Sequence, residues 1–172
     1  AAEILYAMCK NKHMHPSDVK EGKIEVIADC DGLLKVDSDK LKKVNEFGQM
    51  MIASRHGNTP VKKGDKLAGT RIIPLVIEKE KMHKAAAICA DGPILELKEF
   101  HKKKVGIITT GNEVYHKRIE DTFTPVIKEK LAEYDTEVIY HEIFDDNHEK
   151  ITRGCLTAIK KGADLVICTG GM

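Results

Sequence analysis

The chain has 172 residues, 42% of them hydrophobic, and a formal net charge of +1. That length suits one domain or two small ones with a real core. Acids and bases nearly cancel, which removes bulk charge as an argument for nucleic acid or a membrane surface, and no apolar run is long enough to span a bilayer.

The elements predicted in chain order fall into two regions. Residues 2–10 read as a helix, and 23–28, 33–36 and 50–54 as short strands, with a polar helical stretch at 38–46. Lys63-Gly64-Asp65 is a turn signal between extended runs, the second of which covers 71–77. Residues 78–90 form a charged amphipathic helix with Met82, Ala85, Ala86 and Cys89 facing inward. The basic run His101-Lys102-Lys103-Lys104 marks a join near 99–103 and reads as a solvated lead-in to a buried strand.

Strand and helix alternate after the join. Residues 104–109 are a continuous β-branched run, the pattern of a strand buried on both faces. Ile119, Phe123, Val126, Ile127, Lys130, Leu131 and Tyr134 then recur at helical spacing, and Pro125 fits if the helix starts near residues 121–124. Residues 136–143 read as a second strand. A second helix carries Ile151, Cys155, Ala158 and Ile159 on one face, with Asp146 or Asn147 as its cap, and 164–168 is a third strand. The expected fold is α/β: an open parallel βαβαβ sheet in residues 104–172, preceded by a small β-rich α+β domain in residues 1–99.

The cysteines, Cys9, Cys30, Cys89, Cys155 and Cys168, are odd in number and scattered, without a Cys-x-x-Cys pair. They predict no disulfide framework and a reducing, cytoplasmic setting. Cys155 and Cys168 read as small core residues. His13-x-His15 lies in polar, turn-like surroundings and reads as an exposed pair, and His141 and His148 read as surface residues.

Chemistry concentrates at three loops that parallel strands bring to one sheet edge, where open α/β sheets bind ligands. Thr109-Thr110-Gly111-Asn112-Glu113 follows the first strand, Asp145-Asp146 the second and Thr169-Gly170-Gly171 the third. Glycine turns with hydroxyls and exposed backbone N–H groups suit phosphate or another oxyanion. Neither is a P-loop or a dinucleotide fingerprint. A carboxylate beside an oxyanion site suits Mg²⁺, or the hydroxyls of a sugar or pterin; the alternative for Asp145 and Asp146 is helix capping.

At Thr109-Thr110-Gly111-Asn112-Glu113-Val114, Asp145-Asp146 and Thr169-Gly170-Gly171-Met172 the chain resembles the molybdopterin-binding domain of molybdenum-cofactor biosynthesis proteins. Residues 63–74 resemble the β-rich segment that precedes this domain in molybdopterin molybdenumtransferase-like proteins. The resemblance implies molybdopterin, or its adenylylated form, bound at the loop edge, with Mg²⁺ as cofactor and molybdate inserted by the full-length protein. Thr109, Thr110, Gly111, Asn112 and Glu113 would line the pterin or nucleotide side, and Thr169, Gly170 and Gly171 would cradle phosphate. Asp145 and Asp146 would be the catalytic acids, with Glu113 and Asp146 holding metal. It also implies a homo-oligomer.

Asn112 stands where many relatives carry Asp. The family continues beyond the Thr-Gly-Gly turn, so residues 104–172 are expected to be the N-terminal half of the domain, and the chain a fragment or the ordered portion of a longer protein. A non-catalytic molybdopterin- or nucleotide-binding module or sensor, and a nucleotide pyrophosphatase of related fold, are the alternative functions.

Overall fold

The structure, a computed structural model, describes residues 1–170. Gly171, the last residue of the expected phosphate turn, and Met172 lie outside the described residues. The chain divides into two compact units, the first Ala1–Phe100 and the second beginning at His101.

The first unit is built from short antiparallel strands and three helices: α1 (Ala2–Cys9), β1 (Met14–Pro16), β2 (Lys23–Ala28), β3 (Gly32–Val36), α2 (Ser38–Asn45), β4 (Met50–Ser54), β5 (Thr59–Val61), β6 (Lys66–Ile72), α3 (Lys79–Ala87) and β7 (Leu95–Glu99). One sheet has the order β1-β2-β6-β4, the other β5-β3-β7. Alternation makes β2 half-buried, with Ile24, Val26 and Ala28 inward and the residues between them turned out. Helix α1 packs on β2 and β6, placing Leu5, Met8 and Cys9 in a core with Leu34, Ile52, Leu67 and Ile94.

Strands β1, β5 and β7 have no strong sequence signal; each is three to five residues long and is defined by its partner strand rather than its own pattern. His15, expected in a turn, lies in β1, paired with Ile27. The extended run expected over 71–77 stops at Ile72, ahead of Pro74, whose missing N–H cannot continue a ladder. The helix expected over 78–90 ends at Ala87, where short-range bonds from Cys89 and Ala90 tighten its last turn.

The second unit holds β8 (Lys104–Thr110), α4 (Asn112–Tyr115), α5 (Phe123–Ala132), β9 (Glu137–Phe144), α6 (His148–Lys160) and β10 (Leu165–Gly170). Its sheet has the order β10-β8-β9, with β8 parallel to both neighbours. Val105, Ile107 and Ile108 of this central strand are fully buried, as a strand covered on both faces requires. Helix α6 lies against all three strands, and Asn147 caps it, its side chain accepting from the Glu149 and Lys150 N–H groups.

The apolar faces expected of the helices need correction. Ile119 precedes α5, and Ile119, Phe123, Val126 and Ile159 are all more than half exposed. The helix starts at Phe123 because Asp121 ties down its first turn, and that start buries Thr124 instead. Cys155 is half-buried and Cys168 exposed, with their sulfurs 3.6 Å apart, so neither is a core residue. Strand β10 has a neighbour on one side only among the described residues, which leaves Cys168 uncovered. No helix among the described residues is long and apolar enough to cross a membrane.

Candidate functional site

The C-terminal ends of β8, β9 and β10 converge, because all three run parallel with Thr110 in register with both Phe144 and Gly170. A cavity of about 560 Å³ opens at this edge. Its wall includes Thr109, Thr110, Gly111, Asn112, Glu113, Asp146, Thr169 and Gly170, so eight of the residues singled out in the sequence share one space. Residues 119–123 line it as well. A hollow of similar size on the outer face of α6, lined by residues such as Arg153, Leu156 and Lys160, shares no residue with it.

Two glycines shape the rim. Gly111 has φ +136 and Gly170 φ +154, regions that residues with a Cβ avoid. A side chain at Gly170 would also collide with the hydroxyl and carbonyl of Thr110 on the neighbouring strand. The rim is less open to an anion than its sequence suggests. The Gly111 N–H donates to the Phe144 carbonyl at 3.1 Å, and the Asn112 N–H to Asp146 Oδ2 at 3.3 Å. These bonds tie the first loop to the second, at the cost of two donors expected to face the ligand. Thr169 Oγ1 is the counterpart: it is buried, with no hydrogen-bond partner among the described residues. A buried hydroxyl in that state gains from a ligand atom that pairs with it.

The acidic pair separates into two environments. Asp146 is exposed and faces the cavity. Asp145 does not line it; its Oδ2 accepts from Lys150 Nζ at 2.7 Å, and that hydrogen bond, ahead of the lysine's charge, holds its carboxyl below the usual range. Asn147 alone caps α6, so capping does not explain Asp146.

Sequence reasoning missed Asp121, Thr124 and His141. Asp121 Oδ1 accepts from the N–H groups of Phe123 and Thr124 at 3.1 and 3.0 Å, while Oδ2 accepts from the Thr124 hydroxyl at 2.5 Å. The Thr109 hydroxyl lies 2.9 Å from that of Thr124, and His141 Nε2 is 3.2 Å from both. Burial works to raise the Asp121 carboxyl, but the hydrogen bonds from Thr124 and Phe123 and the nearby imidazole outweigh it, leaving it below the ordinary value. Burial, then the charge of Lys128, pushes His141 down, with Asp121 opposing. His141 is an exposed residue of β9, as expected, but its side chain turns in to these hydroxyls and is itself 26% exposed. The local signal was Asp-x-x-Thr before a helix, the pattern of a cap.

A model of the family described as a probable molybdopterin binding domain matches residues 106–172. A molybdopterin adenylyltransferase of Pyrococcus furiosus is 35% identical over 79 residues, covering 42% of this chain and 46% of its own length. Among solved structures, the tungsten cofactor synthesizing protein MoaB from Pyrococcus furiosus is 33% identical, with 40% of this chain and 42% of that one covered and a TM-score of 0.38. The molybdopterin biosynthesis moeA protein from Pyrococcus horikoshii OT3 is 13% identical, with 98% and 64% covered and a TM-score of 0.34. The chain thus spans a little under half the length of the curated relative it matches. Residues 106–172, which carry the three loops of the cavity edge, are the part of the chain that matches the probable molybdopterin binding domain model.

Proposed function

We propose that this chain serves in molybdenum-cofactor biosynthesis by binding molybdopterin, or its adenylylated form, in the cavity at the ends of β8, β9 and β10. One observation carries the reading: three loops from a segment of that family wall a single 560 Å³ cavity, a size suited to a tricyclic pterin with its phosphate. In this reading residues 1–99 are a β-rich accessory domain and residues 104–172 the first half of the pterin-binding domain.

Thr110, Gly111, Asn112 and Glu113 line the pterin or nucleotide side, and Thr169, with Gly170 and Gly171, holds the phosphate; the Thr169 hydroxyl, buried without a partner among the described residues, supports that role. Mg²⁺ takes one or two carboxylates and completes its shell with phosphate oxygens and water, and Glu113 and Asp146 fit that donor set. Such an ion supplies neutralisation of phosphate charge. Asp146 is the better placed of the two proposed catalytic acids, since Asp145 is engaged by Lys150. Insertion of molybdate is assigned to the full-length protein, in the cytoplasm and as a homo-oligomer.

Calorimetric titration of the chain with molybdopterin tests this. Saturable binding that weakens in Asp146→Ala supports it. Binding or hydrolysis of nucleoside triphosphates with no response to the pterin supports the pyrophosphatase alternative instead. The second reading, a carrier or sensor without catalysis, draws on Asn112, whose neutral amide pairs with Asp146 and brings no charge to a metal. Pterin binding without molybdate insertion in the full-length protein distinguishes it.

A further inference from the structure

The β-rich unit holds a second cluster of reactive side chains. His13 precedes β1, Cys30 lies between β2 and β3, and Glu99 ends β7. A ring nitrogen of His13, Cys30 Sγ and a Glu99 carboxylate oxygen all lie within 4.8 Å of one another. Backbone hydrogen bonds fix each of the three segments. The Asp29 N–H donates to the His13 carbonyl at 2.9 Å, and the Phe100 N–H to the Asp31 carbonyl at 3.2 Å. Glu99 is in register with Gly32, two residues beyond Cys30. His13 itself has φ +64, a conformation uncommon outside glycine.

Charge and donor type then narrow the ligand. Cys30 stands between Asp29 and Asp31, with Glu99 opposite, so the surroundings of the thiol are acidic. Burial first, then Glu99, Asp29 and Asp31, push the Cys30 thiol up, so the metal-free cluster keeps its proton. A cation there offsets the carboxylates and converts thiol to thiolate, releasing that proton to solvent. One nitrogen, one sulfur and one oxygen donor disfavour Mg²⁺ and Ca²⁺, which take oxygen, and suit a borderline transition metal. Zinc bonds of about 2.0–2.3 Å set tetrahedral ligands roughly 3.3–3.8 Å apart, within side-chain torsion of the present cluster.

We propose that His13, Cys30 and Glu99 form a binding site for a divalent transition metal, zinc foremost, in the β-rich unit. The three side chains occupy three positions of a tetrahedron and water the fourth. This site shares no residue with the pterin cavity and does not depend on the function proposed for it.

The test is titration of the metal-stripped chain with Co²⁺, followed by displacement with Zn²⁺. The background is Cys155→Ser with Cys168→Ser, so that the neighbouring pair contributes no signal. A thiolate-to-cobalt absorption band saturating at one equivalent, lost on Zn²⁺ addition and absent in Cys30→Ser, is expected. His13→Gln and Glu99→Gln, both at exposed positions, keep the circular dichroism of the parent and weaken Zn²⁺ about tenfold or more. Absence of the band, its survival in Cys30→Ser, or unchanged affinity in both exposed variants overturns the proposal.

Discussion

The hydroxyl of Thr124 donates to Asp121 Oδ2 at 2.5 Å, and the same carboxylate accepts the Thr124 and Phe123 backbone N–H groups through Oδ1. One side chain therefore starts α5 and anchors the hydroxyls of Thr109 and Thr124 beneath the cavity. Charge-assisted bonds of this kind are shorter and stronger than neutral ones. Replacing Asp121 with Ala removes an N-terminal tether and leaves the buried Thr124 hydroxyl only its contacts with Thr109 and His141. A loss of about 1–2 kcal/mol in urea unfolding is expected. A change below about 0.5 kcal/mol would mean that water replaces the carboxylate.

The pH response follows from the same network. His141 and Asp121 both have folded-state values below their unfolded ones. Each favours its deprotonated form in the native state, so each contributes stability that is complete above the unfolded value and is lost as pH falls through the folded value. For His141 that loss begins below about pH 6.5, and for Asp121 below about pH 3.9. Melting temperature should fall on acidification from neutral pH, and His141→Gln should flatten the upper part of that fall. An identical slope in the variant would show that other groups carry it.

Asp146 and Asp145 should respond differently to substitution. Asp146 is exposed and Asn147 performs the capping, so Asp146→Ala is expected to change stability by less than about 0.5 kcal/mol while weakening pterin binding in the presence of Mg²⁺. Equal losses of melting temperature and binding would instead assign it a structural role. Asp145→Ala breaks the pair with Lys150 and should act on stability without a matching change in affinity.

Gly170→Ala places a Cβ against Thr110 at a backbone angle that only glycine adopts readily. The strain is worth about 1–3 kcal/mol. The end of the β10–β8 ladder should exchange amide hydrogens faster, and pterin affinity should fall. Unchanged exchange at Thr110 would mean that the rim tolerates the methyl group.

The regular elements were legible to the extent that they rest on local pattern. The run Val105-Gly106-Ile107-Ile108-Thr109 predicts a strand buried on both faces, and it is the central strand of the unit. Residues 23–28 and 50–54 read as short extended runs and are strands at those residues. The helix over 123–132 was legible as a helix but not in its facing: Phe123 and Val126 looked like core and are exposed. A helical period identifies a stripe, while the neighbouring elements decide whether it is covered.

The sequence by itself determined where the glycine and acidic loops that line the cavity fall. Thr109–Glu113, Asp145-Asp146 and Thr169-Gly170 each announce themselves through neighbours in the chain, because glycine turns and strand runs are short-range properties. Tertiary structure decided which of these residues meet. The parallel pairing of β8 with β9 sets Ile107 opposite His141 and brings the imidazole to the hydroxyl of Thr109, two residues on. The same structure turns Asp145 to Lys150, leaves Asp146 at the cavity, and collects His13, Cys30 and Glu99 from three distant segments. Strand register and loop closure act between residues far apart in the chain, and no local period encodes them.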